Sequence, residues 1–393
     1  MEGCKVVKKA GSCYGFLFST VWVILLLLCG CSLVLRPTVE NHITVEQYDE
    51  TRLNYKVTKV DFYAQLQLET NEGDDVFLHD VAHDAFAFSL RYDDSSTGNA
   101  PDKVRGVGVY NMGTGDVRFF NNIPMYLYDV ILDGSEQVFY SGYSIGTNNW
   151  YIASTKNRGE KILDSGESRN YLPVFARFGD RIAYLYEKQT TKEGLVEYEY
   201  GVNAVADGKI FPLVTVKKEF REGYKSSEYL IGAQLMTNGN QYALLIERDG
   251  RAVVDIYTEK MRVASVVLQD RIYNMTLLRD SIFFSVQDRD SSNPKLAVQA
   301  FDGSKSIMKT NEFSPSYRMV SNRDGYLLAI DMSFNICILG VADRTLLRKA
   351  VNIAGQEGQA VEFHFVDEKR WLVHYPFRDG KRAKMVYLLE ITD

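Results

Sequence analysis

Residues 172–186 read LPVFARF-GD-RIAYLY: an apolar strand, a turn at Gly179-Asp180, and a second apolar strand. After a polar interval a third apolar run, Tyr200 to Val205, leads into Asp207-Gly208 and a fourth, Ile210 to Val214. Asp-Gly pairs supply the positive φ of tight hairpins, so this stretch predicts a four-stranded antiparallel meander. The same phrase recurs along the chain. Its first turn falls at Asp84, Asp133-Gly134, Gly179-Asp180, Asn238-Gly239, Asp280, Asp324-Gly325 and Asp367. The mean spacing is about 47 residues, within the range of radial or stacked repeats.

Seven units follow, and the seventh, Val361 to Val366, Trp371 to His374 and Met385 to Ile391, has no fourth strand after it. Upstream of the first unit, Val60, Phe62, Ala64, Leu66 and Leu68 alternate with Asp61, Tyr63, Gln65 and Gln67. Such alternation marks a strand buried on one face. This segment is expected to supply the missing strand and close a ring, which removes open sheet edges. The expected fold is all-β: a seven-bladed β-propeller of four-stranded antiparallel blades over residues 55–393. A two-sheet sandwich accounts for neither the constant period nor the split final unit.

The units resemble the propeller repeats of the TolB-like and WD-repeat-like class, in which an Asp-Gly turn precedes an apolar strand. The resemblance covers residues 55 to 393, and the repeats lack the Trp-Asp signature of the WD type. It implies a propeller fold and protein partners.

The N-terminus reads as a targeting segment. Lys5, Lys8 and Lys9 precede an uncharged apolar run, Phe16 to Leu28, that closes on Leu28-Cys29-Gly30-Cys31. This resembles a bacterial lipoprotein signal peptide over 1–30, with Cys31 as the lipidated residue and 31–54 as a tether. The alternative is an uncleaved anchor, since Gly15 to Leu35 is long enough to span a bilayer. Both readings place the folded part in the cell envelope, exported and membrane-anchored.

The formal charge of −6 argues against nucleic acid as the partner. Of five cysteines, only Cys337 lies in the repeats, so no disulfide forms there. Within Ile336-Cys337-Ile338-Leu339 it reads as a small core residue.

Chemistry is harder to find. His79 and His83 have His-x-x-x-His spacing, but residues four apart on a strand lie roughly 13 Å apart and cannot share an ion. His79 and His364, on the first strands of units that adjoin in a closed ring, can both approach the central channel. Gln287 to Asn293 is rich in oxygen but lacks the glycine and terminal Glu of a calcium loop. Carboxylates pair at Asp93-Asp94, Asp288 with Asp290, and Glu197 with Glu199. No aspartate-box repeat, Gly-x-Ser-x-Gly elbow or phosphate-cradling glycine loop is present. No catalytic residue, metal site or cofactor is therefore assigned.

Loop length is more informative. Loops between second and third strands and connections between blades open on one face, and four are long: Tyr92 to Arg105, Glu187 to Glu199, Lys217 to Ser227 and Asp288 to Lys295. Tyr92, Arg105, Tyr198, Phe220, Arg221, Tyr224 and Arg289 supply the aromatic and Arg content that interfaces favour. The expected function is a non-catalytic scaffold for a protein or cell-envelope ligand, monomeric outside a complex. The alternative is a surface glycan hydrolase or lyase using channel-facing carboxylates.

Overall fold

The computed structural model describes residues 53–60, 75–91, 104–121 and 126–392, the last without 145–146, 157–158, 169, 269–270, 279, 288–293, 302–304, 309–319, 322–325, 331–334, 343–344, 354–360, 368 and 379–380. All of these belong to one unit, 42–393. The described residues contain strands and no helix.

The chain begins its strands with β1 (Asn54–Val60) and then builds blades in order. Blade one is β2 (Asp75–Ala82), β3 (Ala85–Arg91), β4 (Val104–Asn111) and β5 (Val117–Asn121). Blade two is β6 (Tyr126–Leu132), β7 (Val138–Tyr143), β8 (Asn149–Lys156) and β9 (Gly159–Glu167). Blade three is β10 (Val174–Phe178), β11 (Arg181–Lys192), β12 (Leu195–Ala206) and β13 (Lys209–Arg221). Blade four is β14 (Glu228–Thr237), β15 (Tyr242–Arg248), β16 (Arg251–Thr258) and β17 (Met261–Val267). Blade five is β18 (Arg271–Leu277), β19 (Ser281–Gln287), β20 (Pro294–Ala300) and β21 (Lys305–Met308). Blade six is β22 (Val320–Ser321), β23 (Tyr326–Ile330), β24 (Ile336–Ala342) and β25 (Thr345–Val351). Blade seven takes β26 (Glu362–Phe365), β27 (Arg370–Arg378) and β28 (Lys381–Thr392), and β1 completes it in the order β1-β28-β27-β26.

Every blade is a four-stranded antiparallel sheet, and the ring closes through the N-terminal strand. The closing strand is not the one expected. Asn54 to Val60 pairs with β28 from Asn54↔Thr392 to Val60↔Val386, whereas the stronger alternation at Val60 to Leu68 lies outside the described residues beyond Val60. An outermost strand needs only one half-buried face, and Tyr55 and Val57 provide it against the core around Trp371 and Leu389. Leu53, just before the strand, is already buried in that core.

Among the described residues the core falls into seven clusters, and each lies in a seam between adjacent blades. Leu127 and Tyr140 of blade two meet Val107 and Val109 of blade one. Phe139 and Trp150 meet Phe175 and Tyr184 across the next seam. The series ends where Leu372 and Val386 of blade seven meet Leu78, Phe86 and Phe88 of blade one, which closes the circle. Cys337 is buried in the seam between blades five and six, packed with Phe283 and Leu339 as a small hydrophobe.

Aromatic rings are seated on cross-strand glycines. Trp150 pairs with Gly166 and Phe88 with Gly108, and a Cβ at either glycine would meet the ring at 2.6 Å or 2.2 Å.

Three expectations of detail are corrected. The interval Glu187 to Glu199 is the end of a long hairpin in which β11 and β12 stay paired to Lys192↔Leu195, and the stretch after Lys217 remains strand β13 as far as Arg221. Polar alternation such as Glu197, Tyr198, Glu199, Tyr200 looks like loop in composition, yet it is the pattern of a ribbon with one buried, aromatic face and one solvent face. The fourth strands of blades four and six, β17 and β25, were not singled out because few apolar residues in β17 face inward. In blade six the described part of the innermost strand is Val320–Ser321, and the Asp324-Gly325 turn lies outside the described residues.

Candidate functional site

Blade three departs furthest from the repeat. Its second, third and fourth strands run 12, 12 and 13 residues, against 7, 8 and 7 in blade four. The excess forms a three-stranded tongue on the face where second-to-third loops and blade connections emerge. Glu193 (φ 51°) and Gly194 (φ 76°) turn its tip, and Gly223 (φ 88°) turns the connection to blade four. Val196 and Tyr198 on one side are buried, while Leu195 and Glu197 on the other are exposed, as period-two alternation requires.

The tongue is anchored at its base by buried polar groups. Tyr198 donates its hydroxyl to Glu187 Oε2 (3.3 Å) and accepts the Leu230 N–H (3.1 Å) from blade four. Glu187 is 1% exposed and also accepts from Ser168 Oγ (3.0 Å) and Asn170 Nδ2 (3.1 Å). Burial pushes the Glu187 carboxyl above its usual range, and these three donors work against it. Its backbone carbonyl accepts Trp150 Nε1 (2.9 Å), which ties in blade two.

A second network continues into blade four. Glu228 takes the Tyr200 hydroxyl (2.5 Å), Lys218 Nζ (3.4 Å) and Arg248 Nε (3.3 Å). Arg248 then reaches Asp255 (2.6 Å), which also holds Arg262 (3.0 Å) and Ser265 Oγ (2.6 Å). Burial alone would raise the Asp255 carboxyl, but Arg248, Ser265 and Arg262 outweigh it and hold it below the usual carboxylate range.

The ring's centre shows a different chemistry. At the inner-strand bulge of blade one, Asp80 accepts the Leu132 N–H (2.8 Å) and both guanidinium nitrogens of Arg177, with Nη1–Oδ1 at 2.9 Å. One pair thus links blades one, two and three. Asp129 stands at the same bulge of blade two and accepts the Phe175 N–H (2.7 Å) of blade three. Gln234 repeats the gesture from blade four to the Met275 carbonyl (3.0 Å) of blade five. These side chains stitch the inner strands of blades one to three together and blade four to blade five, so the channel carboxylates Asp80 and Asp129 are engaged by backbone amides and Arg177. Beside them a cavity of about 390 Å³ is lined by Arg177 and by first turns of four blades, including His83, Asp133, Asp180 and Asp367.

The residues singled out in the sequence divide. Arg221 and Tyr224 are exposed and adjacent, the Tyr224 N–H donating to the Arg221 carbonyl (3.0 Å). Phe220 is half-buried against Tyr198, with ring centroids 6.4 Å apart. Tyr198 is 4% exposed, so it braces the tongue and offers no outer surface. Tyr92 and Arg289 lie outside the described residues, and Arg105 falls at the start of β4. Cys31 also lies outside them. His79 and His364 are brought together, as the closed ring allows, while His83 stands in the turn lining the cavity. The inner-strand bulge positions were missed; a polar residue four places before the first-turn Asp or Asn, as at Asp80, Asp129 and Gln234, is the signal that could have found them.

No protein-family model matches the chain, and no curated protein is similar to it in sequence. Among solved structures it is similar to a chain of the mitotic checkpoint complex (11% identity, 83% of this chain and 99% of that one, TM-score 0.46). It is similar to YCF48 bound to D1 peptide (10% identity, 89% and 99%, TM-score 0.46). It also resembles the acylaminoacyl peptidase of Pyrococcus horikoshii (11% identity, 79% of this chain, 52% of that one, TM-score 0.48).

Proposed function

We propose that this propeller is a non-catalytic scaffold, exported and membrane-anchored, that holds a protein or cell-envelope ligand on the face bearing the blade-three tongue. The tongue is the observation that supports this. Its stem is fixed by Tyr198, Glu187 and Glu228, while Leu195 and Tyr224 stand 40% and 71% exposed at its end beside Arg221. Aromatic and Arg side chains on a stiff support lose little freedom on binding, which is how rigid anchors contribute affinity. The membrane anchor rests on the Lys5–Lys9 charges, the apolar run and Cys31. The TolB-like character of the repeats belongs to the same reading.

A photo-crosslinking residue at position 224 tests the binding face, with position 208 in the opposite-face turn as control. Capture of a defined ligand at 224 and not at 208, lost in Arg221→Ala/Tyr224→Ala, is the expected result. Equal capture at both positions, or steady turnover of a glycan or peptide abolished by Asp80→Asn or Asp129→Asn, would overturn it. For the anchor, Cys31→Ser should release or misprocess the protein; unchanged processing and membrane retention refute lipidation.

A further inference from the structure

Glu362 and His364 are two residues apart on β26, so their side chains share one face of the strand. His374 is the cross-strand partner of Glu362 on β27 and joins them on that face. The face is the one turned toward blade one: Leu372, partner of His364, packs with Leu78 and Phe88, while Phe363 and Val373 point to blade six. The three side chains therefore meet in the seam where the ring closes.

Their donor atoms converge. His374 Nδ1 lies 3.3 Å from Glu362 Oε2, His364 Nε2 lies 4.0 Å from the same oxygen, and one ligand atom from each of the three falls within 4.8 Å of the others. The other nitrogen of His364, Nδ1, is 3.2 Å from the His79 carbonyl. A carbonyl only accepts, so Nδ1 carries the proton, which leaves Nε2, on the side of the carboxylate, as the nitrogen able to ligate an ion. An imidazole whose second nitrogen donates to a backbone carbonyl is the outer-shell arrangement of metal-ligating histidines. His79 itself directs Nε2 to Ser89 Oγ (2.7 Å), so its contribution is the carbonyl.

The geometry points to a divalent transition-metal site, of zinc type, formed by Glu362, His364 and His374 at the seam between blades seven and one. Two imidazoles and one carboxylate suit zinc and its first-row neighbours, whereas calcium and magnesium take oxygen sets. Zinc-ligand distances near 2.0–2.2 Å require the donors to draw inward by about 1 Å. Glu362, with its side chain 52% exposed, has the freedom to do so. Its exposure also leaves a coordination position open to water. His374, 2% exposed, is the fixed point of the set. Such an ion would bind the two inner strands of the closing blade to each other and hold His364 against blade one.

The test uses the full chain, stripped with chelator and titrated with Zn²⁺ by calorimetry and with Co²⁺ by visible spectroscopy. The expected result is one ion per chain, a Co²⁺ absorption typical of low coordination number, and a rise in Tm on adding Zn²⁺. Glu362→Gln and His364→Gln should each weaken binding by more than about a hundredfold, beyond the loss that follows removal of an outer-shell partner. His83→Ala and Cys337→Ser should leave it unchanged. Glu362→Gln is nearly isosteric at a half-exposed position, and its Tm without metal reports that it folds. Absence of one-to-one binding in the unmodified chain, or binding that survives Glu362→Gln and His364→Gln, overturns the assignment.

Discussion

Blade three and blade seven hold their neighbours by unlike means, and a tryptophan in a seam of each shows the difference. Trp150 of blade two, in the seam leading to blade three, donates Nε1 to the carbonyl of Glu187, whose carboxylate is held by Ser168, Asn170 and Tyr198. Trp371, in blade seven, is equally buried, yet among the described residues its Nε1 meets no acceptor. The first seam is specified by polar geometry and the second, between blades six and seven, by shape. Buried polar networks fix a single arrangement but are costly to break; apolar packing tolerates change more readily.

The largest effect should come from breaking the polar side. Asp255→Ala takes the carboxylate from Arg262 and from one side of Arg248, which keeps Glu228, and should cost about 3 kcal/mol in urea unfolding. The contribution of Asp255 is pH-dependent in a defined sense. A carboxyl held below its unfolded value stabilises the fold fully above about pH 4, and this is lost as pH falls through the folded value. Asp255→Asn should therefore flatten the acid limb of the stability curve, and an unchanged limb would remove Asp255 from the account.

The tryptophan pair sharpens the contrast directly. Trp150→Phe leaves the Glu187 carbonyl unmatched and should cost about 1–3 kcal/mol more than its loss of volume alone. Trp371→Phe forfeits volume only, so its unfolding midpoint should shift less. Equal shifts would erase the distinction between the seams. Smaller again is Tyr198→Phe, which deletes the hydroxyl shared by Glu187 and Leu230 and should cost about 1–2 kcal/mol. Faster hydrogen exchange confined to 187–199 is expected with it. The smallest is Gly194→Ala: no atom lies within 4 Å of the added Cβ, and only the φ of 76° opposes it, at about 1 kcal/mol.

Sequence made the ring legible because the Asp and Gly turns recur with a constant period, and a period survives variation at any one position. It also showed that the chain's first strand must complete the last blade. The strand's location shifted because half-burial of Tyr55 and Val57 leaves a weaker pattern than the run at Val60 to Leu68. The tongue was misread as loop because Lys188, Glu197 and Lys217 alternate with polar as well as aromatic partners, and composition alone does not reveal cross-strand pairing. Tyr198 looked like surface for the same reason. His364 was set beside His79, but Glu362 and His374 escaped notice, since His374 is twelve residues from Glu362 and only the register of β26 with β27 places them opposite each other.

The pairing Asn54↔Thr392 joins residues roughly 340 positions apart in the chain. No ribosome can present both strands at once until the last blade has emerged, so closure must be among the final acts of folding. Until then the chain carries an unpaired outer edge on β28 and an uncovered apolar patch around Trp371. An open ring of this kind is the form most exposed to sticking or cleavage before it locks.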